Sequence, residues 1–193
     1  SRVYSDKLAK LAFRVNEKSK NLVINRLKKI YSAIYIDEVQ DLAGYDFEII
    51  RIIVEAGIDL TMVGDPRQST YSTHYEQMNC KYKNGDLSGY IKDKDLQIEI
   101  DQESLQICYR SNFGICTLAN QIYPDKEEIK SGNDTVTGHD GIFFIKEDDV
   151  LLYCKKFSPV ILRYNSKSKV INPLNTKVYN FGESKGLTFN RVL

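Results

Sequence analysis

No charge of either sign dominates this chain: across 193 residues, 27 Lys and Arg stand against 26 Asp and Glu, for a formal charge of +1. That balance gives no global field to draw in a polyanion, so a nucleic acid or membrane surface would have to be met by a local patch. Long apolar runs are lacking too. Runs such as 52–54 and 141–145 fall far below the roughly 18 residues of a membrane span, so no transmembrane helix is expected. The opening Ser1-Arg2-Val3-Tyr4-Ser5-Asp6 has neither an initiator Met nor the apolar core of a signal peptide, and it reads as an interior cut. Cysteine is sparse: Cys80, Cys108, Cys116 and Cys154 form no C-x-x-C pair, which argues against a zinc site or a disulfide framework and for free thiols in a cytoplasmic protein. The two histidines, His74 and His139, are far apart, and Gly138 and Gly141 bracket His139-Asp140 as a turn rather than a metal dyad. What is present is a 42% hydrophobic content, enough to bury a core and to exclude disorder or collagen, in a length that suits one domain or two small ones.

The first thirty residues carry helical periodicity. Leu8, Leu11, Ala12 and Val15 fall at i, i+3, i+4 and i+7, and Val23, Leu27 and Ile30 continue it after a polar break, which predicts two packing helices. At Ala33-Ile34-Tyr35-Ile36 the pattern becomes a short apolar run, expected as a strand buried on both faces of a parallel sheet, and it ends in Asp37-Glu38. A helical pattern over 45–56, closed by Gly57, leads to a second apolar run, Leu60-Thr61-Met62-Val63, that ends at Gly64-Asp65-Pro66. This is a β-α-β unit. Its right-handed crossover should set both polar clusters at the carboxyl edge of a parallel sheet, with Asp37 and Asp65 on neighbouring strands and Gln68 directed into the same crevice. Residues 72–104 are polar and weakly patterned, with a turn signal at Asn84-Gly85, and a domain connection is placed near their end. Beyond it, Ser111 is a candidate helix cap, Ile115, Leu118, Ala119 and Ile122 make one apolar face, and Pro124 stops the helix. A loop over 125–140 follows. Residues 142–145, 160–163 and 177–180 read as strands, with an acid-started helix over 147–156, so a second α/β layer is expected.

The chemistry concentrates after the first strand, in Asp37-Glu38-Val39-Gln40-Asp41. A carboxylate at a strand tip, Asp37, can hold the water shell of Mg²⁺ while Glu38 orients and deprotonates an attacking water, the logic of metal-assisted phosphoryl transfer. The same residues could instead be an acidic turn that caps the next helix. Context comes from Gly64-Asp65-Pro66-Arg67-Gln68-Ser69-Thr70-Tyr71, which brings an amide, Gln68, to the same sheet edge, where it can sense a γ-phosphate.

This pair of motifs resembles the second and third motifs of the UvrD/Rep-like superfamily 1 helicases, D-E-x-Q-D and G-D-x-x-Q-S-[IT]-Y. The resemblance continues through Leu105-Gln106-Ile107-Cys108-Tyr109-Arg110-Ser111, similar to L-x-x-N-Y-R-S, through the strand segment from Val160 to Ser168 that contains Arg163, and through Ser184-Lys185-Gly186-Leu187-Thr188-Phe189, similar to S-K-G-L-E-F. It implies an α/β fold with RecA-like parallel sheets, parts of two P-loop NTPase helicase domains over 1–104 and 105–193. It implies ATP and Mg²⁺ as cofactors and single-stranded DNA as partner, with 3′ to 5′ movement in the cytoplasm. Residue by residue, it implies Asp37 for the metal, Glu38 as general base, Gln68 as γ-phosphate sensor, Arg110 as arginine finger, Tyr109 stacked on the adenine and Gly186 at the nucleotide. Tyr71 and Arg163 would lie on the nucleic acid. The chain departs from the family at Thr73 and His74, where an aromatic and Arg are usual, and at Cys108, Gly182 and Thr188, where Asn, His and Glu are usual. DNA contacts are thereby less supported than phosphate contacts. No G-x-x-x-x-G-K-[ST] loop occurs in these residues, so the chain reads as an internal piece of a compact relative and is expected to be inactive alone. The alternative is a nonmotor helicase-like subunit of a bacterial nuclease or antiphage defence complex.

Overall fold

The computed structural model describes residues 7–69, 78–82 and 86–193, in two compact units, 1–101 and 102–193. Tyr71, Thr73, His74 and the Asn84-Gly85 turn signal lie outside the described residues.

The first unit opens with α1 (Leu8–Lys18) and α2 (Leu22–Ile30). The turn between them is built by the buried Asn16, whose amide donates to Asn21 Oδ1 at 2.9 Å while its oxygen accepts from the Ile24 amide at 3.0 Å. Asn16 thus does what a backbone partner would do for otherwise orphaned polar groups. The face of α1 expected to pack is not the one that does: Leu8, Leu11 and Val15 are exposed, and Phe13 instead stacks obliquely on Tyr45 with ring centroids 5.5 Å apart. The helix rolls so that its one ring reaches Tyr45, since an aromatic buries more area than a leucine.

Strand β1 (Ala33–Ile36) pairs in parallel with β2 (Asp59–Met62), Ala33 opposite Asp59 and Ile36 opposite Met62, and α3 (Tyr45–Glu55) makes the crossover. Asp46 and Glu48 in its first turn suit the positive end of the helix dipole, and Gly57 at φ +68° closes it in a left-handed conformation that a side chain would resist. The expectation that β1 is buried on both faces fails at Tyr35, which is 78% exposed; with one partner strand among the described residues, only Ile34 and Ile36 face packed neighbours.

The stretch 72–104, read as weakly patterned, supplies much of the core through its described residues. Tyr82 and the Leu87, Tyr90 and Ile91 face of α4 (Leu87–Asp93) pack with Phe47 and Ile50 of α3, and Tyr90 stacks on Phe47 at 5.1 Å while standing edge-on to Tyr82 at 5.2 Å. The helix went unseen because seven residues hold too few apolar positions to establish a period, and it is secured by a cap, Asp86 Oδ1 accepting from the Gly89 amide at 2.9 Å.

The second unit has two separate parallel pairs. Strand β3 (Ile107–Cys108) pairs with β4 (Lys130–Ser131), joined by α5 (Phe113–Ile122); β5 (Ile161–Arg163) pairs with β6 (Val178–Asn180), preceded by α6 (Val150–Phe157) and followed by α7 (Phe181–Ser184). The cap of α5 is Asn112, accepting from the Ile115 amide at 3.1 Å, and not Ser111, whose carbonyl is taken by Ser131 Oγ at 2.9 Å. Residues 142–145 form no strand. Phe143 instead stacks on His139 at 4.1 Å, and Phe144 is fully exposed, so the apolar run is used as separate side chains rather than as a paired backbone. His139 sits in a turn as expected, between Gly138 and Gly141 at positive φ, with Thr137 bonded to Asp140.

Candidate functional site

The carboxyl edge of the β1–β2 pair gathers the polar clusters. Asp37 follows β1 directly and is exposed, its Oδ1 accepting from the Glu38 amide at 2.8 Å. Glu38 is a non-glycine residue at φ +55°, a left-handed conformation that costs about 1–2 kcal/mol for an L-residue. The ladder runs past the strand ends, because the Val63 amide donates to the Ile36 carbonyl at 2.9 Å and the Val39 amide to the Val63 carbonyl at 3.1 Å. This fixes the turn over 37–39 against the end of β2.

Gln40 joins the two clusters. It is 4% exposed; its Nε2 donates to Glu38 Oε2, its Oε1 accepts from the Asp65 amide at 3.0 Å, and its carbonyl accepts from Ser69 Oγ at 3.3 Å. Gly64 makes this approach feasible: a Cβ there would lie 2.7 Å from Val39 Cγ2 and closer still to Gln40 Oε1. Asp65 in turn organises the short 3-10 turn Pro66–Gln68, its Oδ1 accepting from the Arg67 amide at 3.0 Å and from Arg67 Nε at 2.9 Å. Gln68 Nε2 lies 3.3 Å from Asp65 Oδ2, but the side chain is exposed rather than turned into a crevice, because Asp65 holds it at the rim. Asp37, Glu38 and Gln68 are thus brought to one edge, as the motif spacing predicted. The sequence reading gave Gln40 no role, and no local signal marks one, since its second partner, the Asp65 amide, lies 25 residues further along the chain.

Behind the edge, the buried Glu48 carboxylate accepts from Asn79 Nδ2 at 3.0 Å, Tyr90 OH at 3.1 Å and Arg51 Nε at 3.0 Å. Burial alone would push its carboxyl up, yet these three donors together hold it below the ordinary carboxylate range. Burial beside that carboxylate pushes the Tyr90 hydroxyl up.

In the second unit, Tyr109 and Arg110 follow β3. Tyr109 is 73% exposed, which sets aside a core role, and its ring lies against Gly132, where a Cβ would meet Tyr109 Cδ1 and Cε1 at 2.8 Å. Arg110 is exposed and its carbonyl accepts from Asn133 Nδ2 at 3.1 Å. Arg163 stands opposite Asn180 in the β5–β6 register and donates from Nε to Asn180 Oδ1 at 2.8 Å; Asn180 also caps α7 reciprocally with Glu183. Gly186 follows at φ +78° with open space where a Cβ would be. Among the described residues no group of three His, Cys, Asp or Glu could cage a metal, and no helix is long and apolar enough to cross a membrane.

Comparison with known proteins bears on the first of these sites. RecBCD enzyme subunit RecB of Borreliella burgdorferi is 33% identical over 102 residues, which is 52% of this chain and 8% of that protein, so the chain spans a small part of the relative's length. Residues 4–77 match the UvrD/REP helicase N-terminal domain. The chain is therefore UvrD/REP-like through residues 4–77, the stretch in which Asp37, Glu38, Gln40, Asp65 and Gln68 come together.

Proposed function

We propose that the chain is the central portion of an ATP-dependent translocase or helicase that moves 3′ to 5′ on single-stranded DNA in the cytoplasm, built on two RecA-like domains over 1–104 and 105–193. The observation that carries this reading is the convergence of Asp37, Glu38, Gln40, Asp65 and Gln68 at the carboxyl edge of one parallel strand pair, the edge at which open α/β sheets receive ligands. An exposed carboxylate with one oxygen already engaged suits Mg²⁺, which is commonly held by one or two carboxylates together with water and phosphate oxygens rather than by a protein cage. When bound, ATP with Mg²⁺ supplies the phosphoryl group and the charge that polarises it.

The chain's own residues do the rest in this reading. Asp37 would hold the metal's water shell. Glu38, whose Oε2 accepts from Gln40, would take a proton from an attacking water. Gln68 would contact the γ-phosphate, Tyr109 would stack on the adenine, Gly186 would lie at the nucleotide, and Arg110 would neutralise charge developing on the transferred group. Tyr71 and Arg163 would line the nucleic acid. A second reading, a nonmotor subunit of a nuclease or antiphage defence complex, draws on the relative's name as a subunit of a larger enzyme. Glu38→Gln in the full-length protein separates the two. A motor retains ATP affinity and loses turnover by about 10²-fold to 10⁴-fold, the usual worth of a general base. Turnover close to wild type refutes the assignment of Glu38.

A further inference from the structure

Cys108 ends β3 and Cys116 lies in the first turns of α5, and their sulfurs converge on Ser111. The Ser111 amide donates to Cys108 Sγ at 3.4 Å, and the Cys116 thiol donates to the Ser111 carbonyl at 3.6 Å, so both sulfurs are held at one residue. Cys108 is half-buried, open to a small solute, and Cys116 is 3% exposed beneath it. The turn between β3 and α5 aims the Arg110 and Ser111 amides at Cys108 Sγ, and donors of this kind favour the thiolate. From this geometry we infer that Cys108 and Cys116 are a peroxide-responsive pair that closes to a reversible disulfide, Cys108 reacting first and Cys116 resolving it.

Burial pushes the Cys108 thiol up, but the Ser111 and Arg110 amides and the Cys116 thiol outweigh it and hold it below its ordinary value. In the first step the Cys108 thiolate attacks one peroxide oxygen. The O–O bond breaks, a sulfenic acid forms, and the departing hydroxide takes up the proton Cys108 gave to solvent. In the second, the Cys116 sulfur attacks the sulfenic sulfur, the S–O bond breaks and water leaves with the Cys116 proton. Two thiols are oxidised and one peroxide is reduced to two waters. The cross-link ties the end of β3 to α5 and clamps the turn that presents Tyr109 and Arg110. The inference does not depend on the helicase reading.

The test treats the full chain with hydrogen peroxide, blocks remaining thiols and digests with trypsin. Peptides 95–110 and 111–126 should appear joined, lighter by two hydrogens than their sum, and should separate on reduction with dithiothreitol. A chain carrying Cys80→Ser and Cys154→Ser should give the same product. Cys116→Ser should leave Cys108 as sulfenic acid, with roughly tenfold more dimedone adduct than the parent, since nothing resolves it. Peptides that stay separate in the chain with all four cysteines, or a Cys108 that passes straight to sulfinic acid, overturn the pairing, and that first measurement needs no substituted residue.

Discussion

Gln40→Ala is the sharpest probe of the edge at which the acidic clusters meet. The substitution removes two side-chain hydrogen bonds, to Glu38 Oε2 and from the Asp65 amide, and leaves that amide without its acceptor in a partly buried position. Each bond is worth about 0.5–1.5 kcal/mol net, and an orphaned donor adds a desolvation cost of about 1–3 kcal/mol. Because solvent reaches part of the turn, the lower ends apply, and about 2–3 kcal/mol is expected. With a urea dependence of about 1–3 kcal/mol per molar, the midpoint should fall by roughly 0.7–3 M. The chain contains no Trp, so circular dichroism or tyrosine emission would follow the transition. A local readout accompanies it: the Asp65 amide should lose hydrogen-exchange protection while amides in the second unit keep theirs. Gln40→Glu discriminates further, since a carboxylate still accepts from Asp65 but sets a like charge against Glu38, so the loss should persist although the volume is unchanged. Paired with Glu38→Ala, Gln40→Ala should show a coupling of about 0.5–3 kcal/mol, as contacting residues do. A loss under about 0.5 kcal/mol for Gln40→Ala, with Asp65 protection intact, would refute the claim that this amide holds the two clusters together.

Other substitutions test the remaining arrangement. Glu48 has a carboxyl held below its ordinary value, so its ionised form contributes stability that is present above the unfolded pKa, about 4, and is lost as pH falls through the lower folded value. Glu48→Gln should therefore flatten stability against pH on the acid side of about 4, and an unaltered acid limb in stepped-pH unfolding would contradict this. Gly132→Ala should displace the Tyr109 ring, weakening a fluorescent adenine nucleotide in the full-length protein if Tyr109 stacks on the base; unchanged affinity together with an unchanged tyrosine environment would show that the ring needs no such seat. Arg110→Ala in the full-length protein should lower DNA-stimulated ATP turnover by about 10³-fold to 10⁵-fold with its thermal midpoint preserved, and turnover within about threefold of wild type would leave Arg110 without a catalytic part.

The β-α-β unit could be read from residues because its signals are local and agree: a short apolar run, an amphipathic helix closed by Gly57, and a second run, each ending in acid. Its parallel register follows from the crossover, and the motif spacing located Asp37 and Asp65 near the right strand ends. What escaped depends on tertiary partners. The periodicity of α1 identified a helix but not its buried side, which Tyr45 decides by receiving Phe13. Helix α4 is too short to establish a period, although its Tyr90 is wholly buried. Residues 142–145 have the composition of a strand, but a strand also requires a neighbour, and His139 offers Phe143 a ring instead. Gln40 stood inside a recognised motif, yet its bridging of two clusters lies in the return of the chain 25 residues later, which no local pattern encodes.

The left-handed backbone at Glu38 has a consequence for how this edge can change over generations. A glycine would adopt φ +55° without the penalty that glutamate bears, but it would remove the carboxylate that accepts from the buried Gln40 amide and would loosen the unfolded chain. Relief of strain at position 38 is therefore offset by an amide left without its acceptor. The residue is held by its neighbour as well as by any chemistry it performs. A library randomised at residue 38 and sorted for folding alone should favour Gly only where position 40 has also changed to a side chain that needs no acceptor.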